Sequence, residues 1–161
     1  MMFDMTLPIH EVVIRIFLAI FSGTVLGLNR WMHHKSAGVR THSLVALGSA
    51  LAILVMQGMI GGDAQAQSRV LQGILSGIGF LGAGVIIHRG ANDSVKGLTT
   101  AASIWVCAVM GVSFGAGQIT LGMIGLAGIF IVLLLGGPLE KLTNRLMQTN
   151  QSSENSNING E

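Results

Sequence analysis

Between Gly97 and Leu139 the chain runs for forty-three residues without an Asp, Glu, Lys or Arg. As one helix that stretch would rise about 65 Å, roughly twice the ~30 Å hydrocarbon core of a bilayer, so it must fold back on itself. Gly115-Ala116-Gly117-Gln118 is the expected place for the turn. The rest of the chain agrees with a membrane setting. Charged residues are 10% of the total, and the 23 glycines fit closely packed transmembrane helices better than soluble ones.

Apolar runs bounded by charge or glycine give five spans: Val12 to Leu28, Ser43 to Ile60, Val70 to Ile87, Leu98 to Phe114 and Ile119 to Gly136. The expected architecture is an all-α integral membrane protein, a bundle of five transmembrane helices over residues 1–137. Met1 to His10 carries Asp4 and lacks the basic segment of a signal peptide, so the first span should be retained. Beyond Pro138, Glu140 to Met147 suits a short amphipathic helix, and the Asn/Gln/Ser-rich Gln148 to Glu161 reads as a disordered cytosolic tail.

Charge placement sets the expected orientation. Arg30, Lys35, Arg40, Arg89, Lys96, Lys141 and Arg145 share one side of the five spans, against Arg15 and Arg69 on the other. That seven-to-two bias puts the N-terminus outside and the C-terminus in the cytoplasm.

Polar residues inside the spans are few. Glu11 and Arg15 are four apart and should pair on one helix face. Arg69 heads a stripe of Gly73, Ser76, Gly77, Phe80 and Gly84 on the third span, and stands as the one membrane charge of that helix; it either snorkels to water or faces other helices. Gly77, Gly79 and Gly82 spell a dinucleotide-binding pattern, but inside a membrane-length apolar run it lacks the strand and acidic residue that such a site requires. Helix packing through Gly73, Gly77, Gly79, Gly82 and Gly84 is the better reading, with Gly73 and Gly77 as a G-x-x-x-G pair. Adjacent His33 and His34 sit in a basic loop, and apart from Glu11 the spans hold no carboxylate, so no metal site or cofactor is expected. No Ser or Thr has the His and Asp partners of nucleophilic catalysis, and no basic patch carries the interleaved aromatics of a nucleic-acid binder. Neither an enzyme nor a nucleic-acid partner is expected. Cys107 reads as a buried, inert thiol.

Four motifs in order, Gly27-Leu28-Asn29-Arg30, Lys35-Ser36-Ala37-Gly38-Val39-Arg40-Thr41-His42, Ser76 to Gly84, and Gly97-Leu98-Thr99-Thr100-Ala101-Ala102 with Trp105, resemble the membrane domain of the MgtC/SapB family. The resemblance implies a multi-pass protein of the bacterial inner membrane, associated with magnesium limitation, acid stress and virulence. It implies action by contact with other membrane proteins, the F-type ATP synthase or a transporter among them. Three departures stand out. Asn29 replaces a Glu common in relatives; Ala66-Gln67-Ser68-Arg69 keeps only the Arg of an Asp-Pro-x-Arg motif; and the 24 residues after Gly137 are too few for the cytosolic domain of the longer members.

The expected function is therefore an accessory protein working through helix contacts in the bilayer, as a monomer or a homodimer. The alternative is a small ion or proton transporter assembled from several copies around the third span. Arg30, Lys35, Arg40, Thr41, His42, Lys96, Thr99 and Thr100 form the expected cytoplasmic polar face, and Trp105 joins the packing set.

Overall fold

The computed structural model describes residues 7–60, 63–89 and 94–158. Five helices follow the apolar runs: α1 (Ile9–Met32), α2 (Val39–Ile60), α3 (Ala64–Val85), α4 (Leu98–Gly115) and α5 (Ile119–Ile158). All five carry a segment long and apolar enough to cross a membrane. A short antiparallel hairpin, β1 (Ile87–Arg89) and β2 (Ser94–Lys96), joins α3 to α4. It has no counterpart in the sequence-based expectation, because three-residue strands are too short for a period-of-two signal.

The helix ends are set by local chemistry. Asp63 caps α3, its side chain accepting from the Gln65 N–H at 2.9 Å. At the end of α1, His34 adopts φ 52; its N–H bonds to Trp31 O at 3.0 Å and the next, of Lys35, to Arg30 O at 3.1 Å. The same paired bonds end α4 around Gly117, at φ 78, with Gly117 N–H to Phe114 O and Gln118 N–H to Ser113 O, both 2.9 Å. Both are Schellman motifs, which use carbonyls a helix end would otherwise leave bare. The second lies at the turn the sequence indicated.

The chain divides into two compact units, Met1–Ile124 and Gly125–Glu161. In the first, α1, α2 and α4 pack against one another, and α3 lies on α4 and α2. Its core is small-residue and tight: Ala19, Leu26, Ala46, Ala50, Ile104, Cys107, Ala108 and Phe114 are buried. Two G-x-x-x-G pairs bring the backbones together. A Cβ on Gly23 would stand 2.6 Å from His42 O, and one on Gly27 2.8 Å from Val39 N, so α1 meets α2 where no side chain fits. Farther along α2, a Cβ on Gly115 would stand 2.8 Å from Ala50 Cα, and one on Gly111 2.9 Å from Ala46 Cα.

The second unit is the remainder of α5, which holds Pro138 within it and continues to Ile158. The helix passes Gly136, where the fifth span was expected to stop, and occupies 148–158, where composition suggested disorder. Once a helix is nucleated, each added residue needs only its own local hydrogen bond, so polar sequence can extend it without a buried face. Residues 159–161 lie outside the described residues.

Candidate functional site

Two arginines of α1 sit at opposite ends of α4. Arg15, 14% exposed, donates to Gly115 O at 3.1 Å, to Gln57 Oε1 at 3.2 Å and to Glu11 Oε2 at 3.1 Å. The expected ion pair with Glu11 is present, and it does more than solvate a charge. The guanidinium closes the carbonyl end of α4, where the helix dipole is negative, and ties α1, α2 and α4 together. Gly117 leaves room for it, since a Cβ there would stand 2.8 Å from Arg15 Cζ.

Arg30 occupies the other end. It is buried, 4% exposed, and its Nη2 donates to Thr100 Oγ1 at 2.8 Å, in the first turn of α4. Among the described residues its Nε has no hydrogen-bond partner. Beside it lies a polar chain from α2 to α4. His42, fully buried, has Nδ1 3.0 Å from Gly38 O and Nε2 3.1 Å from Ser103 Oγ. The Ser103 hydroxyl also lies 2.8 Å from Thr100 O, and Cys107 Sγ donates to His42 O at 3.2 Å. A carbonyl only accepts, so Nδ1 carries a proton whenever it bonds Gly38 O. The Ser103 hydroxyl, with one hydrogen, then serves either Nε2 or Thr100 O; satisfying both contacts at once requires a proton on Nε2 too.

The expected polar face thus splits in two. Arg30, His42 and Thr100 meet in the interior, whereas Lys35, Arg40, Thr41, Lys96 and Thr99 are exposed at the same end of the helices. Ser103 and Cys107 complete the interior cluster, and sequence reading missed their part in it. Their signal was available: Thr100, Ser103 and Cys107 recur at three- and four-residue spacing, one face of α4.

The packing residues are placed differently from the expectation. Gly73, Gly77, Gly79 and Gly84 have open space where a Cβ would be, and only Gly82 touches a neighbour, Ala101 Cβ at 3.5 Å. Trp105 is 43% exposed, and Arg69 is exposed on α3. The glycines that bring helices together within the chain are Gly23, Gly27, Gly111 and Gly115, pairs as literal in sequence as Gly73 and Gly77. What distinguishes them is which way each face turns, and that is a tertiary property.

Gly73, Gly77 and Gly48 instead line an apolar groove of about 400 Å³ between α2 and α3, with Leu44, Ile74 and Leu81 among its walls. Among the described residues, no group of three His, Cys, Asp or Glu side chains converges as a metal site would require.

Residues 16–142 match the MgtC family. Protein SrpB of Synechococcus elongatus is 43% identical over 133 residues, covering 76% of this chain and 72% of that protein. The "Putative magnesium transporter YhiD" of Escherichia coli K12 is 37% identical over 159 residues, 93% of this chain and 70% of that protein. Protein MgtC of Brucella abortus is 42% identical over 121 residues, 75% of this chain and 49% of that protein. No solved structure matches the chain.

Proposed function

This chain belongs to the MgtC family, and from that premise we propose that it is an inner-membrane accessory protein for growth under magnesium limitation, acting by helix contact with another membrane protein. One observation carries the reading. The third helix has the lowest mean hydropathy of the five membrane-length segments, 1.2, and only 6% of its segment is buried. The least apolar helix is thus the one least covered, and it presents Gly73 and Gly77 to the open groove beside α2, where an added Cβ would meet nothing within 4 Å. In a bilayer, glycine faces associate through close backbone approach, which lipid tails cannot match in packing. The same surface would serve a relation to stress or virulence through its partner, the ATP synthase or a transporter being the expected class. In this orientation the Arg30 end faces the cytoplasm, following the basic residues of the connections.

The transporter reading draws on the name of the Escherichia coli relative. Against it stand spans with little oxygen-ligand chemistry: Glu11 is already committed to Arg15. The test combines Gly77→Leu with two measurements. The variant should fold normally, since its Cβ meets nothing within the chain, yet should lose support of growth on limiting magnesium. Purified wild-type protein in liposomes should show no Mg²⁺ flux. Saturable flux that Gly77→Leu leaves intact would overturn the accessory reading.

A further inference from the structure

The two arginines of α1 differ in a way that points to a ligand. Arg15 lies at the negative end of α4 and has a carboxylate, Glu11, 3.1 Å away. Arg30 lies at the positive end, more deeply buried, and among the described residues no carboxylate reaches it. A buried cation beside a helix N-terminus is unfavourable on both counts: desolvation is uncompensated, and the dipole opposes the charge.

Among the described residues, the same end of α4 has no side-chain cap. Gly97, at φ 97, precedes the helix and provides no side-chain hydrogen bond. The first backbone bond into the turn is Ala101 N–H to Gly97 O at 2.8 Å, which leaves the N–H groups of Leu98, Thr99 and Thr100 without one among the described residues. Arg30 Nε, buried and unpartnered, is a fourth unused donor at this end. Unused donors, a positive dipole end and a buried guanidinium all call for the same thing, an anion. Lys35, Arg40 and Lys96, exposed around the same end, raise the potential that would attract one.

We propose that the N-terminal end of α4 together with Arg30 binds one phosphate-type oxyanion, accepting from the guanidinium and from the first-turn N–H groups. Thr100 holds the guanidinium in place through Nη2. His42, through Ser103, ties α2 to the same turn. The phosphate belongs either to the headgroup of an anionic lipid or to free phosphate in solution, and both present the same oxygens.

The test measures the thermal unfolding of the full chain in nanodiscs. In phosphatidylcholine alone, inorganic phosphate is titrated against chloride at matched ionic strength; in parallel, discs with half phosphatidylglycerol are compared first without phosphate and then with it added. A saturable rise in Tm with phosphate identifies the free ion. A rise with phosphatidylglycerol that phosphate does not add to identifies the headgroup. No rise in either arm overturns the proposal. Arg30→Gln should abolish the rise. Should that variant fail to fold, Arg30→Lys keeps the charge but loses Nε and the planar fork, and should weaken the response about tenfold. An undiminished response in either variant overturns the assignment.

Discussion

Gly117 shows how much a single residue is asked to do. It ends α4 in the left-handed region and makes space for the Arg15 guanidinium. Gly117→Ala should therefore cost about 1–2 kcal/mol from the backbone alone, with further loss where Arg15 is displaced. Gly84→Ala, whose Cβ meets nothing, is the matched control and should be neutral or stabilising. Denaturant unfolding in detergent micelles reads both; equal stabilities would mean that the turn relaxes freely. At this scale the sequence was partly legible. The spacing of Glu11 and Arg15 predicted their bond, because a helix brings residues four apart together. The bonds of Arg15 to Gln57 and Gly115 were not legible, since they span 42 and 100 residues and depend on how three helices cross.

At the scale of elements, the glycine pairs divide into those that assemble the first unit and those that do not. Gly27→Leu and Gly111→Leu would drive side chains into the backbones of Val39 and Ala46, and each should destabilise the fold by about 1–3 kcal/mol or prevent assembly. Gly77→Leu should leave it unchanged. Unfolding in SDS titrations would separate them, and a Gly77→Leu variant as unstable as the other two would place α3 inside the bundle. Sequence reading chose Gly73 and Gly77 because they sit on a recognisable stripe. It passed over Gly23 and Gly27 because a G-x-x-x-G pair states only that a backbone can come close, not which neighbour does. The hairpin Ile87–Arg89 with Ser94–Lys96 escaped notice for a related reason. Two three-residue strands are held by their pairing, which no local window contains.

For the whole molecule, the asymmetry of basic residues predicts a cytoplasmic Arg30 end and an outer Arg15 end. Cys107, fully buried, gives a quiet background for testing this. In intact cells, a membrane-impermeant maleimide should label Asp63→Cys and spare Lys35→Cys, with the pattern reversed in inverted vesicles. Labelling of Lys35→Cys from outside would invert the orientation, and with it the side from which an anion reaches Arg30. The wild-type thiol should react only after unfolding.

The number and place of the membrane-length segments came from the sequence by itself. Span-forming apolarity is a sum over about twenty neighbouring residues, and backbone satisfaction inside each helix is local, so both can be read in order along the chain. Family membership was legible for the same reason, since its motifs are contiguous. Only the tertiary structure decided that Arg30, His42 and Thr100 turn inward with Ser103 while Lys35, Arg40 and Lys96 stay outside. Only it decided which glycines touch a partner and which line an open groove. Those outcomes depend on the rotation of each helix about its axis, which is fixed jointly by neighbours far away in sequence, so no stretch of residues encodes it alone.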